Sequence, residues 1–145
     1  MEPIDPEALA AQAVEMHAAK CNCAQCVACT LAPLVGADED TCFRAAEALG
    51  AGLGGLTETC GALTGGALIL GLANSSGIAE RTSKAATYHL VRQLVTAFRE
   101  KNGSTLCPEL KGTTTTHLLC TCNDCIRDAA YLTACILREQ ESARS

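Results

Sequence analysis

The sequence predicts an all-α fold, a single-domain bundle of five or six helices covering residues 1–145. Three observations lead there. Apolar residues make up 48% of the chain but aromatics only 3%, with no Trp. Ala, Leu, Gly and Cys must therefore fill the interior, and small residues suit closely packed helices better than a sheet, which favours β-branched and aromatic side chains. Apolar positions also recur three and four residues apart between helix start and stop signals. Finally, no convincing strand pair appears, because the four threonines at 113–116 lack an apolar partner run. A chain of 145 residues is most simply one domain, large enough to bury a core.

Each element has its own signal. Asp5, Pro6 and Glu7 read as N-cap, first helical position and first-turn acid. Ala8, Ala11, Val14 and Ala18 then follow at helical spacing. A second helix is expected over about 23–34, ended by Pro33 and Gly36. A third spans about 38–49, capped by Asp38 or Asp40 and stopped by Gly50. The glycine-rich run 50–55 suits tight turns or close backbone approach. A fourth helix starts near Cys60, with Thr59 as a possible cap, and reaches about Ala73. Residues 74–77 form a loop. A long amphipathic helix follows over about 78–101, with Tyr88, Val91, Val95 and Phe98 as its apolar stripe and Gly103 as its stop. Residues 103–116 read as loop, and a last helix runs over about 118–139 with Ala129, Leu132, Cys135 and Ile136 on its apolar side.

The chain holds eleven cysteines. Cys21, Cys23, Cys26 and Cys29 form one cluster; Cys120, Cys122 and Cys125 form another with the same C-x-C-x2-C spacing. Residues three apart on a helix share a face, so Cys23 with Cys26, Cys26 with Cys29, and Cys122 with Cys125 can each direct two sulfurs one way. Cys21 and Cys120 sit at the entry to each helix. Thiolates grouped this way bind soft metals or exchange electrons as dithiol and disulfide. The plainer reading, cysteines as small core fillers, suits Cys42 and Cys135, which stand alone among apolar helical positions. Cys60, in the first turn of a helix, is expected to have a lowered pKa from the unpaired amides and helix dipole. The glycines before it can let amides point at sulfur. Cys107, before Pro108 in a loop, is read as a ligand or redox thiol.

Other classes find little support. A net charge of −5 argues against nucleic acid, which needs clustered Lys and Arg. The N-terminus has no basic stretch followed by an apolar core, so no secretory signal is read, and 61–73 is too short to cross a bilayer. The expected compartment is the cytoplasm, where cysteine-rich chains are more often metal-binding or redox-active than disulfide-stapled. A thioredoxin-like reading lacks its βαβ context. Thr30 and Ile126 stand where covalent haem attachment needs His. The glycine run follows a helix rather than a strand and lacks the Gly-Lys-Ser/Thr of a phosphate loop. His117, three residues before Cys120, is a candidate ligand or a surface residue; His17 and His89 fall inside helices with no chemical role expected.

Four segments together resemble a known family. They are Asn22-Cys23-Ala24-Gln25; the glycine run leading into Cys60-Gly61-Ala62-Leu63-Thr64-Gly65; Phe98 to Gly103 followed by Cys107-Pro108-Glu109-Leu110; and Cys122-x2-Cys125-Ile126 followed by Ala129-Ala130. In this order, from about residue 8 to 137, they resemble the redox-active family named for its C-GCAxxG-C-C cysteine signature. The glycine motif here reads CGAxxG. The resemblance implies a helical domain in which Cys23, Cys60, Cys107 and Cys122 converge on one centre. It also implies a relation to the non-haem part of split-Soret cytochromes, which carries an iron–sulfur centre. Cys21, Cys26, Cys29, Cys42, Cys120, Cys125 and Cys135 exceed the four-cysteine pattern, which suggests a larger or second centre or a set of resolving thiols.

The leading expectation is an electron-transfer protein rather than a catalyst. It holds an iron–sulfur cluster on Cys23, Cys60, Cys107 and Cys122, with Cys21, Cys26, Cys29, Cys120 and Cys125 as further candidate ligands. A redox partner protein is expected, and a homodimer is plausible. One alternative is a metal-free thiol–disulfide protein using Cys60 as thiolate, with Cys23 or Cys107 resolving. The other is a store for Cu(I) or Zn(II).

Overall fold

A computed structural model describes residues 3–113 and 117–144. The first helix, α1 (Pro6–Ala18), opens as its sequence dictates. The Asp5 carboxylate accepts hydrogen bonds from the amides of Glu7 and Ala8, and Pro6 occupies the first turn, where its missing N–H costs nothing. Helix α2 (Cys23–Leu31) tightens into a 3-10 turn at Ala32–Val35 and ends on Gly36 in the left-handed region. Helix α3 (Glu39–Glu47) takes Asp38 rather than Asp40 as its cap, with Asp38 accepting from the Thr41 amide at 2.9 Å. Gly50 does not stop this region cleanly. The chain keeps helical character and then kinks through a π-type segment, Gly52–Leu56, in which Leu53 and Gly54 leave helical angles.

Helix α4 (Gly61–Asn74) starts with Cys60 in the N-cap position, so Thr59 lies one residue too early to cap it. The expected long helix over 78–101 is two helices, α5 (Gly77–Glu80) and α6 (Lys84–Asn102). The break has a local cause. Ser83 Oγ accepts from the Ser76 amide at 2.7 Å and Ser76 Oγ accepts from the Thr82 amide at 3.2 Å. These hydroxyls compete with helical hydrogen bonding, and Arg81 turns left-handed between them. The buried stripe of α6 is Leu90, Leu94 and Phe98, one turn apart each. Val91 packs at its margin, whereas Tyr88 is 58% exposed.

The expected loop at 103–116 contains a short helix, α7 (Cys107–Lys111), with Pro108 in its first turn and Gly112 left-handed at its end. Residues 114–116 of the threonine run lie outside the described residues. Helix α8 (Cys122–Arg144) begins later and runs further than the sequence suggests. Thr121 caps it through Oγ1, which accepts from the Asp124 amide at 3.0 Å.

Eight α-helices thus form among the described residues, and the only extended pairing is one antiparallel bridge between Thr59 and Leu106. Helices α4 and α8 are central. Helix α4 packs on α2, α6 and α8, and α8 packs on α1, α2, α4 and α6. The core is made of Val27, Leu31, Leu63, Ile69, Leu70, Leu94, Phe98 and Ile126, interleaved with Ala24, Ala28, Ala62, Ala129, Ala130 and Ala134. Gly65 shows why small residues matter. A Cβ there would stand 2.6 Å from the Ala24 carbonyl oxygen, so the α2 and α4 backbones touch. No described helix is long and apolar enough to cross a membrane.

Candidate redox centre

Local sequence places four cysteines at the start of four helices. Asn22 and Gln25 form a reciprocal capping box: Asn22 Oδ1 accepts from the Gln25 amide at 2.9 Å and Gln25 Oε1 accepts from the Asn22 amide at 3.0 Å. The same side chains reach α3, with Asn22 Nδ2 donating to the Glu47 carbonyl and Gln25 Nε2 to that of Phe43. Cys23, the first residue of α2, is thereby fixed against α3. Cys60 precedes the first residue of α4, and Cys107 and Cys122 open α7 and α8.

A short strap aligns Cys60 with Cys107. The Cys60 amide donates to the Thr105 carbonyl at 2.9 Å, and the Cys107 amide donates to the Glu58 carbonyl at 2.8 Å, on either side of the Thr59–Leu106 bridge. The π-type segment closes over Cys107. Gly52, at φ +54°, lies so near that a Cβ would meet Cys107 Cβ at 2.7 Å and its Sγ at 3.2 Å. The glycine run therefore serves a close approach to Cys107.

The four thiols form a ring of neighbours. Cys23 shares a hydrogen bond with Cys122 and lies within electrostatic reach of Cys60. Cys107 feels both Cys60 and Cys122, which closes the circuit. Cys60 and Cys107 are buried, at 5% and 2% exposure, and Cys23 and Cys122 are half-buried. Lys111, which the sequence patterns left unremarked, reaches in from the end of α7, and its Nζ donates to Cys122 Sγ. Its one sequence signal is its position four residues after Cys107, on the same helical face.

Two surplus cysteines adjoin the ring. Cys125 faces both Cys60 and Cys120, and these hydrogen bonds to its two neighbours push its own pKa up. The Cys125 thiol thus has three acceptors within reach, the sulfurs of Cys120 and Cys60 and the Cys120 carbonyl at 3.9 Å. The hydrogen bond from Cys125, the first-turn amides of Ala62 and Leu63, and Lys111 together outweigh burial and bring Cys60 down to about 7. Cys120 is lowered by the same donor, but Asp128 and Asp124 oppose its ionisation. Cys23 goes the other way, pushed to about 12 by burial first and then by Cys60 and Cys122. Burial likewise raises Cys107.

The remaining candidates lie apart. Cys26 Sγ donates to the Cys21 carbonyl at 3.6 Å, and Cys29 Sγ to the Glu39 carbonyl at 3.8 Å. Burial raises these two to about 12 and about 11. They form a second group with Cys21 and Cys42 on the α2–α3 side. Cys42 is buried, as expected of a small core residue, but Cys135 is only half-buried and lines a groove with His89 and Leu132. His17 Nδ1 pairs with Asn123 Oδ1 at 2.7 Å, tying α1 to the start of α8. His117 is exposed.

Among the described residues, no three His, Cys, Asp or Glu side chains are disposed to hold one metal ion. Within the ring Cys23 and Cys122 meet, and Cys60 and Cys107 lie within electrostatic reach of them. The larger surface grooves run between α6 and α8 and along α4 to Tyr88, away from the ring. Such an arrangement can carry thiolate at Cys60, share protons among adjacent thiols and present soft donors from four chain segments.

Neither a curated protein nor a solved structure matches the chain at a significant level. A family profile does, over residues 21–136, from the first cysteine cluster into the middle of α8. The chain belongs to the family described as "Putative redox-active protein (C_GCAxxG_C_C)".

Proposed function

We propose that the ring of Cys23, Cys60, Cys107 and Cys122 holds an iron–sulfur cluster and that the protein passes electrons to a redox partner protein. The observation that carries this reading is the closed circuit of four thiols, each at the start of a helix. The donor chemistry fits, because iron–sulfur clusters take four Cys thiolates. A lone Zn(II) would need its four sulfurs each about 2.3 Å from one point, whereas a cluster takes its ligands around several metal atoms. When bound, the cluster supplies the electron. The protein supplies thiolate at Cys60, the positive ends of α2, α4 and α8, and a dry lining of small side chains. Eleven free thiols fit a reducing compartment such as the cytoplasm.

The test is anaerobic purification followed by iron, acid-labile sulfide and absorption measurements on one sample. Near-equal iron and sulfide, with a broad band that bleaches on reduction, are expected. Cys60→Ser should abolish both and Cys42→Ser should keep them. Copper or zinc without sulfide would instead support metal storage, and equal losses in the two variants would overturn the assigned ligands.

A second reading, a metal-free dithiol protein, draws on the closeness of Cys125 to the Cys60 thiolate. It requires a sample without iron in which these two thiols lose reactivity together on mild oxidation.

A further inference from the structure

Lys111 is the last residue of α7, one turn beyond Cys107. Its side chain is bracketed by Cys107 on its own helix and by Cys122 at the start of α8, to whose sulfur it donates. The bracket is built into the backbone. The Leu110 carbonyl accepts the amides of Leu119 and Cys120 at 2.9 and 3.1 Å, which docks the approach to Cys122 onto α7. Gly112 ends α7 in the left-handed region, where a Cβ would strike the His117 carbonyl oxygen at 2.5 Å. Two other cations on this side are already engaged: Lys101 with Asp128 and Arg127 with Asp124, each at 2.7 Å.

We propose that Lys111 is the counter-cation of the cysteine ring, a positioning residue that raises the ring's reduction potential by compensating the negative charge of its reduced form. The inference rests on reading the ring as a redox centre and applies to either group the ring can carry. A cluster gains one negative charge on reduction, and a fixed cation beside it favours that state. For a ring disulfide, two glutathione thiols give up two electrons and two protons and become glutathione disulfide, while the ring becomes two thiols. A nearby cation stabilises the thiolate form of that product.

The experiment compares Lys111→Met, Lys111→Gln and Lys111→Arg with the parent protein and with Lys84→Met, a charge removal on α6 that leaves the ring untouched. Iron and sulfide in the parent are measured first. If a cluster is present, its potential is read by spectroelectrochemistry; if not, the ring is equilibrated with glutathione buffers and its disulfide fraction is counted. The two neutral variants should shift the reduced-to-oxidised ratio at fixed potential about tenfold toward oxidised, about 59 mV for one electron or about 30 mV for two. Lys111→Arg should restore the parent ratio and Lys84→Met should not move it. Helical circular dichroism and melting confirm that each variant is folded. A parent without iron overturns the cluster reading while leaving the lysine to be judged on the disulfide couple. Neutral variants within threefold of the parent, or an arginine variant as shifted as the methionine one, overturn the role of Lys111. A ring showing neither couple overturns both.

Discussion

The two C-x-C-x2-C motifs are nearly superposable in local chemistry and unlike in what surrounds them. In each, a polar residue caps a helix, the middle cysteine is the first helical residue, and the third cysteine donates back to the carbonyl of the first. Those last contacts are 3.6 Å from Cys26 to Cys21 and 3.9 Å from Cys125 to Cys120. The middle cysteines, Cys23 and Cys122, meet each other. The third ones diverge. Cys125 meets Cys60 at the N-terminus of α4, whereas Cys26 has only Cys21, Cys23 and Cys29 of its own motif region beside it and is pushed up by burial first and then by those thiols. Spacing fixes the local arrangement, but the chemistry of each thiol is set by which third segment arrives beside it.

The sharpest way to break this comparison is to remove the segment that distinguishes the motifs. If the ring holds the proposed cluster, Cys60→Ser should eliminate iron and sulfide almost completely, while Cys26→Ser should leave them within the error of the assay. Equal losses would mean that both motifs serve one centre despite their different surroundings.

The pH dependence sharpens the contrast next. Cys23, Cys26 and Cys29 have folded values of about 12, 12 and 11, above the ordinary 9.0. The unfolded chain therefore releases these protons first, and the metal-free reduced protein should lose stability as pH rises from 9 toward 11. Each such thiol costs at most about 1.4 kcal/mol per pH unit in that window. Cys60 has the opposite sign. Its folded value of about 7 lies below 9.0, so its contribution is complete above pH 9 and is lost as pH falls through 7. Urea titrations of reduced, metal-free protein at pH 7, 9 and 10.5 should place the maximum between 7 and 9. A stability that keeps rising to pH 10.5 would contradict the burial of the Cys26 group.

Gly65→Ala should come next in size. The added Cβ meets backbone of Ala24, which cannot swing away. An overpacked contact of this kind costs about 1–3 kcal/mol. Because α2 carries Cys23 and α4 follows Cys60, the forced separation should also lower iron and sulfide content if the proposed cluster is present. A melting curve with an unchanged midpoint would mean that the two helices can part without cost.

Much of this was readable in the chain. Asp5-Pro6-Glu7, Gly36 and Gly103 announced helix ends that the structure keeps, because caps act through nearest neighbours. The family motifs bring Cys23, Cys60, Cys107 and Cys122 forward as a set, and in the fold each has at least one other of the four within electrostatic reach. What escaped the sequence depends on partners far along the chain. The strap joining residues 58–60 to 105–107 uses backbone groups alone and leaves no side-chain pattern. The break after α5 depends on a Ser76–Ser83 pairing that competes with an otherwise acceptable helix. Leu90 and Leu94 offered a stripe as good as Val91 and Val95, and only the approach of α4 and α8 decides between them. Lys111 looked like an ordinary helix-end lysine until α8 was placed beside it.

The smallest expected effects test the two motifs directly against each other. Asn22→Ala removes the cap of α2 and Thr121→Ala that of α8, and loss of such a cap costs about 1 kcal/mol. If the motifs were equivalent, the two losses would match. They should not, because Asn22 also donates to the Glu47 carbonyl at 3.0 Å and thereby holds α3 against the start of α2, whereas among the described residues the Thr121 hydroxyl bonds within its own helix start, to Asp124. Asn22→Ala should therefore be the more destabilising by a few tenths of a kcal/mol to about 1 kcal/mol. Asn22→Asp would separate the two contributions, since a carboxylate keeps the cap but has no N–H for Glu47. Urea unfolding of the three variants should rank them Asn22→Ala, then Asn22→Asp, then parent. An Asn22→Asp protein as stable as the parent would show that α3 docks on α2 without this hydrogen bond, leaving the capping box alone to hold Cys23 at the ring.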